Sequence, residues 1–154
     1  MAKVKSIPEG LHSLTVQLSV EPAAEAIELY KKAFGAVERS RAMDPTGKKI
    51  WHAELRIGDS AIFVNDIARE MGGKQSVTSM WLYVEGVDAA FERAKAAGMT
   101  VGMPPMDMFW GDRMGMLKDR FGIDWNLAER VKEMTPEEMM KAQDEFVKQM
   151  AAKK

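Results

Sequence analysis

The sequence contains no cysteine and only two histidines among its 154 residues. Without cysteine the chain can form neither a disulfide scaffold nor a thiol nucleophile nor a thiolate metal site. This composition suits a reducing compartment, so we expect a cytoplasmic protein. The N-terminal MAKVKSIPEG lacks the apolar segment of a secretory signal, and no run approaches the roughly 18 apolar residues of a transmembrane helix. We therefore predict a soluble protein with no membrane partner.

An excess of either charge is also missing, because the formal net charge is -1 and the sequence pI is about 6.2. Nucleic-acid and anionic membrane surfaces are bound by clustered Lys and Arg, and no basic cluster is interleaved with aromatic residues here. We predict no nucleic-acid partner. Methionine is abundant, with 14 residues, and its thioether side chain fills irregular gaps or forms adaptable binding surfaces.

One segment of the chain occurs twice. LSVEPAAEAIELYKKA at positions 18–33 aligns with LYVEGVDAAFERAKAA at positions 82–97, a shift of 64 positions (82 minus 18). Each copy has the pattern of a strand, a short turn and an amphipathic helix that ends at a glycine, Gly35 or Gly98. Such duplication indicates two similar half-domains. We expect a binding site where their two sheets face one another.

Around each helix, alternating apolar and polar residues predict four strands, so each half is predicted to be βαβββ. The first helix begins after Pro22, and the second spans Val87 to Ala97. A loop opened by Pro104-Pro105 is predicted to precede the last hairpin. The predicted strands are His12–Val20, Ala36–Met43, Lys49–Ile57, Ser60–Asn65, Val77–Glu85, Thr100–Met103, Trp110–Lys118 and Ile123–Glu129.

The predicted fold class is α+β, in a single domain of 154 residues. Module 1 covers about residues 12–66 and module 2 about residues 77–130. Residues 135–152 lie outside the repeat, and TPEE at 135–138 has the form of a capping box with proline at the first helical position. We predict a C-terminal helix with an apolar stripe of Met139, Phe146 and Met150, which either packs on its own domain or covers a partner subunit.

The segments SVEPAAEAIELYKKAFGA, HAELRIGDSAIFVND and WGDRMGMLKDRFGIDWNLAE resemble the PhnB-like, small glyoxalase-like branch of the vicinal oxygen chelate superfamily. That superfamily includes glyoxalase I, extradiol dioxygenases and the bleomycin- and fosfomycin-resistance proteins. The resemblance covers about Leu14 to Glu129. It implies two βαβββ modules whose mixed sheet curls into a cup, and commonly a homodimer. It does not imply one reaction, because the fold hosts many.

The resemblance also implies metal ligands (His, Gln or Glu) inside the cup, on the first and last strand of each module. The corresponding positions here are Thr15 and Phe63 in module 1, and Ser79 and Asn126 in module 2. Two hydroxyls, a phenyl ring and an amide are poor ligands for a divalent metal. We therefore predict no metal and no cofactor.

Strand alternation also predicts which side chains line the cup, because apolar positions must face the helix. Trp81 and Tyr83 then form aromatic walls, which suit a flat or partly apolar small molecule. Together with residues from the loop and the last strands, the predicted ligand-binding set is Thr15, Gln17, His52, Glu54, Phe63, Ser79, Trp81, Tyr83, Trp110, Asp112, Met114 and Asn126.

Two of these residues, His52 and Glu54, project from one face of the same strand. An imidazole beside a carboxylate forms an acid/base pair or half of a metal site. The alternative is a polar rim or a dimer contact in which Glu54 is satisfied by Arg56. A metal would need further ligands, and His12 is the only other histidine.

Trp110 and Asp112 follow the Pro-Pro loop near Met103, Met106 and Met108, which suggests either a lid over the cup or a packed interface loop. Taken together, the residues favour a metal-independent, homodimeric binding protein of the glyoxalase/bleomycin-resistance type for an aromatic or amphipathic ligand. The alternative is a lyase or isomerase that uses His52 and Glu54. A structural homodimer without a ligand is the third possibility.

Overall fold

The computed structural model describes residues 2–153, which divide into two compact units, the first ending at Val77 and the second beginning at Thr78. The first unit contains a four-stranded sheet in the order β1-β4-β3-β2. Strand β1 is parallel to β4, and the other neighbours are antiparallel. Its elements are β1 Val16–Ser19, α1 Ala23–Phe34, β2 Val37–Met43, β3 Ile50–Ile57 and β4 Ser60–Asn65, followed by a 3₁₀ turn at Arg69–Met71.

The second unit repeats this plan, with the strand order β5-β8-β7-β6 and β5 parallel to β8. A C-terminal helix follows the sheet. Two βαβββ modules with mixed sheets confirm the predicted α+β fold class. The elements of the second unit are β5 Ser79–Tyr83, α2 Val87–Ala96, β6 Thr100–Asp107, β7 Asp112–Lys118, β8 Asp124–Arg130 and α3 Pro136–Ala152.

Each module helix buries its apolar stripe against its own sheet. Ile27 and Tyr30 of α1 are fully buried, as predicted from their helical spacing. Phe91 of α2 lies over Gly115 of β7, where a Cβ would come within 2.7 Å of the phenyl ring. Glycine at this position therefore allows the close approach of helix and sheet, and it identifies the helix-facing side of β7.

A carboxylate from the end of each module's last strand caps the helix of that module. The Ala23 N–H donates to Asp66 Oδ1 at 2.9 Å, and the Val87 N–H donates to Glu129 Oε2 at 3.0 Å. Both acceptors satisfy N–H groups that have no partner within the helix and lie at the positive end of its dipole. The pKa of Glu129 is lowered because its carboxylate accepts hydrogen bonds from the backbone N–H groups of Val87 and Gly86.

Two predicted strands differ from the observed ones by four residues at one end, and the ends of the others differ by at most two residues. The first begins at Val16 rather than His12, because its ladder with β4 starts there, and Leu14 is 85% exposed. The sixth continues to Asp107 through Pro104-Pro105, which were predicted to open a loop. It is an edge strand with register shifts before and after Met103, and proline is tolerated at such edges.

The C-terminal helix α3 begins as predicted. Thr135 Oγ1 accepts the Glu138 N–H at 3.1 Å, and Glu138 Oε2 accepts the Thr135 N–H at 2.9 Å, which completes the capping box. None of the residues of α3 is buried. Across residues 2–153, no helix is long and apolar enough to cross a membrane.

Candidate functional site

Aromatic and methionine side chains lie in rows across the second sheet, on the side that faces away from α2. The Cα of Gly115 faces α2, since a Cβ added there would meet Phe91. The side chains of its strand neighbours Met114 and Met116 therefore lie on the opposite side of the sheet. Cross-strand pairing then continues each row over all four strands. The two rows are Tyr83–Ala128–Met114–Met106 and Trp81–Asn126–Met116–Met103, and we call this surface the aromatic–methionine face.

Large apolar side chains on this face are accessible. Trp81 is 46% exposed, Tyr83 55% and Met116 42%, whereas Met114 is buried. An exposed apolar patch of this kind is typical of a binding surface. A cavity of about 290 Å³ adjoins Met116 and Asn126, and the Lys118–Asp124 ion pair lies at its edge. The face therefore combines flat rings, flexible thioethers and a few polar groups.

Asp112 fixes the geometry at one end of this face. Its side chain is 1% exposed and accepts three hydrogen bonds, from Tyr83 Oη at 2.9 Å, Trp110 Nε1 at 2.9 Å and Arg130 Nε at 2.6 Å. The hydrogen bond to Asp112 is the main cause of the raised pKa of Arg130. A buried carboxylate needs such partners to offset its desolvation. Asp112 is thus the anchor of two aromatic side chains.

The rings form a continuous chain that leads away from the sheet. Trp81 lies 6.3 Å from both Tyr83 and Trp110, measured between ring centroids, and these pairs are tilted. Phe109 contacts Trp110 at 5.1 Å and Phe146 of α3 also at 5.1 Å. These separations lie within the range of favourable aromatic pairs. The loop that carries Phe109 and Trp110 is thereby connected to the strand ends by ring contacts and by the hydrogen bond to Asp112.

The positions that the family resemblance associates with a metal are occupied by groups that do not fit one. Asn126 Nδ2 donates to Ser79 Oγ at 2.7 Å and to the Met80 carbonyl at 3.2 Å. Phe63 occupies the position equivalent to Asn126, because it pairs with Gln17 as Asn126 pairs with Trp81. Within residues 2–153, no three His, Cys, Asp or Glu side chains are grouped so that they could hold a metal ion. The chemistry of these side chains does not match a divalent centre.

The corresponding face of the first sheet is polar. Glu54 Oε1 accepts hydrogen bonds from Arg56 Nε at 3.1 Å and Nη2 at 2.8 Å, and Arg56 Nη1 donates to the Gly10 carbonyl at 2.7 Å. The imidazole of His52 instead packs edge-on against Phe63, with ring centroids 4.6 Å apart. Within residues 2–153, no hydrogen bond joins His52 to Glu54. Two N–H groups of the guanidinium thus bond one oxygen of Glu54, which is the contact expected in the alternative where Arg56 satisfies Glu54.

The structure places five of the twelve predicted site residues in the first unit and seven in the second. Thr15 precedes β1. Arg130 was not predicted as a site residue. It lies on the same face of β8 as Asn126, two alternate positions further along the strand, and its side chain donates a hydrogen bond to Asp112. The first unit contains Thr15, Gln17, His52, Glu54 and Phe63, and the second contains Ser79, Trp81, Tyr83, Trp110, Asp112, Met114 and Asn126.

Comparison with known proteins identifies relatives over most of the chain. The profile of the Glyoxalase/Bleomycin resistance protein/Dioxygenase superfamily matches residues 11–127. Uncharacterized protein Rv0887c of Mycobacterium tuberculosis is 41% identical over 139 residues, which cover 84% of this chain and 81% of that protein. Uncharacterized protein At5g48480 of Arabidopsis thaliana is 26% identical over 132 residues, which cover 78% and 79% respectively.

Solved structures share the fold. TioX from Micromonospora sp. ML1 superposes with a TM-score of 0.67 at 24% identity, covering 78% of this chain and 99% of TioX. Protein PA1353 from Pseudomonas aeruginosa gives a TM-score of 0.59 at 27% identity, covering 78% of this chain and 100% of PA1353. Helix α3 lies beyond the residues that the family profile matches.

Proposed function

Since the chain belongs to the glyoxalase/bleomycin resistance protein/dioxygenase superfamily, we propose that it is a metal-independent binding protein for an aromatic or amphipathic small molecule. The observation that carries the proposal is the aromatic–methionine face, where Trp81 and Tyr83 present exposed rings beside Met116. We place the protein in the PhnB-like branch, on the resemblance of its segments. Cytoplasmic location and a homodimeric state remain predictions.

The chemistry of this face supports binding of a flat ring. Indole and phenol rings stack on planar ligands, and thioethers adapt to irregular shapes. Covering roughly 100 Å² of apolar surface on the protein contributes about 2.5 kcal/mol. Asn126 adds a polar group, because within residues 2–153 its Oδ1 accepts no hydrogen bond and its side chain is 7% exposed. A ligand with one hydrogen-bond donor beside an aromatic ring suits this arrangement.

The absence of suitable ligand side chains supports metal independence in this proposal. Ser79 and Asn126 are hydrogen-bonded to each other, and Phe63 offers no donor atom. The alternative enzyme, a lyase or isomerase, would use His52 and Glu54, but Glu54 is engaged by Arg56. No observation on this sheet favours catalysis over binding.

The experiment is a fluorescence titration of the purified protein against a library of planar compounds, followed by Trp81→Ala. We expect saturable quenching in the wild type and at least a tenfold weaker dissociation constant in Trp81→Ala, because a stacking ring is lost. Trp51→Ala is the matched control, since Trp51 is also exposed (57%) but lies on β3 of the first unit. Equal losses in the two variants, or no quenching by any compound, would contradict the proposal.

A metal assay separates the binding protein from the enzyme. We expect the purified protein to contain no stoichiometric divalent ion after dialysis, measured by inductively coupled plasma mass spectrometry. A stoichiometric ion that is lost in a His52→Ala, Glu54→Ala double variant would establish a metal site on the first sheet and overturn metal independence.

A further inference from the structure

A groove of about 600 Å³ lies in the second unit between helix α3 and the loop after β6. Its volume falls within the range of small-molecule pockets, roughly 300–1,000 Å³. One wall is formed by Met108, Phe109 and Trp110 of the loop, and the other by residues of α3 around Phe146. We propose that this groove is a second binding pocket, which accepts a planar amphipathic molecule, and that α3 forms its polar wall.

The face that α3 turns toward the groove has two parts. Ala142 and Phe146, one helical turn apart, supply an apolar surface. Glu145, Gln149 and Lys153 follow one another at intervals of four residues, so they form a polar line along the same side of the helix. The opposite wall consists of thioether and aromatic side chains, together with the carboxylate of Asp107. A molecule held here would therefore place its ring against the loop and its hydrogen-bonding edge along α3.

The groove stays open because α3 is lightly packed. The helix has 17 residues, yet none is buried, and its ring contact with the body of the unit is Phe146 on Phe109. Helices of this length gain most of their stability from packing of an apolar face. The capping box holds the helix start at Thr135, but it leaves the apolar side uncovered. An occupant of the groove would bury that side against the loop.

This pocket is distinct from the aromatic–methionine face. Met103 and Met106 lie at the border of both surfaces, whereas Met108 and the α3 residues belong to the groove alone. Helix α3 also lies outside the residues that the family profile covers. The inference therefore does not depend on ligand binding by Trp81 and Tyr83, and the two are tested by different variants.

The test uses the full chain and the planar amphipathic probe 1-anilinonaphthalene-8-sulfonate. Ala142→Trp fills the groove, so we expect probe binding to weaken at least tenfold. Met140→Ala is the matched control, because Met140 lies on α3 but is 62% exposed and does not line the groove. We expect it to bind the probe within twofold of the wild type. Unchanged binding in Ala142→Trp would overturn the inference.

A second measurement does not rely on the folding of any variant. With methyl-labelled methionine, NMR should show a saturable shift of the Met108 methyl resonance on addition of the probe, and no shift for Met71, which is 82% exposed elsewhere. A stationary Met108 resonance at saturating probe would contradict the inference. Probe binding lost in Trp81→Ala but retained in Ala142→Trp would also reject the groove while leaving the aromatic–methionine face intact. The reverse pattern would support the groove and count against the face.

Discussion

Replacing Asp112 by Asn tests the anchor of the aromatic–methionine face. The asparagine keeps the size of the side chain, but its amide cannot accept all three hydrogen bonds that Tyr83, Trp110 and Arg130 donate to the carboxylate. A charge-assisted hydrogen bond contributes about 1.5–3 kcal/mol and a neutral one about 1 kcal/mol. Tyr83 and Arg130 are partly exposed, so water can replace Asp112 as their hydrogen-bond partner in the variant. This replacement reduces the loss of folding free energy. We expect the free energy of unfolding to fall by about 3 kcal/mol.

The assay is urea denaturation followed by tryptophan fluorescence and by circular dichroism. For a denaturant slope of about 2 kcal/mol/M, the loss corresponds to a fall of about 1.5 M in the urea midpoint. Ligand binding at the face should weaken in the same variant, because Asp112 no longer holds the Tyr83 hydroxyl. Asp107→Asn is the control, since Asp107 forms an ion pair with Arg113 at 3.2 Å but its side chain is 75% exposed. A midpoint for Asp112→Asn equal to that of the control would refute the reasoning.

Three further changes test the fold that supports the site. Glu129→Gln should lower the melting temperature at pH 7 but little at pH 3, because a carboxyl with a lowered folded-state pKa stabilises above roughly pH 4 and loses that effect as pH falls. Gly115→Ala should cost about 1–3 kcal/mol in urea denaturation, since its Cβ meets Phe91 at 2.7 Å; Gly102→Ala, with a nearest contact of 3.4 Å, should cost less. Thr135→Ala should cost about 1 kcal/mol and reduce helicity measured by circular dichroism.

The repeat explains why much of the fold could be predicted from the sequence. Alternating residues specify which face of a strand is apolar, and helical spacing does the same for α1 and α2, so both βαβββ modules were predicted. The capping box at Thr135 was predicted because all of its groups lie within four consecutive residues. The structure differs from these predictions at the start of β1 and at β6, where Pro104-Pro105 indicated a loop but an edge position tolerated both prolines.

The candidate site could be predicted from the sequence only in part. Alternation assigned Trp81, Tyr83 and Asn126 to one face, and cross-strand pairing places them there. It did not show that Asp112 is buried or that Arg130 is its partner, because the two residues belong to strands whose pairing is set by the whole sheet. The groove beside α3 could not be predicted from the sequence either, because it depends on where a helix outside the repeat packs.

The sequence by itself therefore determined the periodic features: two copies of one unit, the apolar side of each element and the start of the last helix. These follow from local geometry, in which spacing along the chain sets direction. Only the tertiary structure decided which side chains meet. Glu54 is bonded to Arg56 and His52 packs on Phe63, although both His52 and Arg56 lie two residues from Glu54. Because both residues are equally far from Glu54 along β3, their spacing cannot predict which one Glu54 bonds. The side chains of the neighbouring strands decide it.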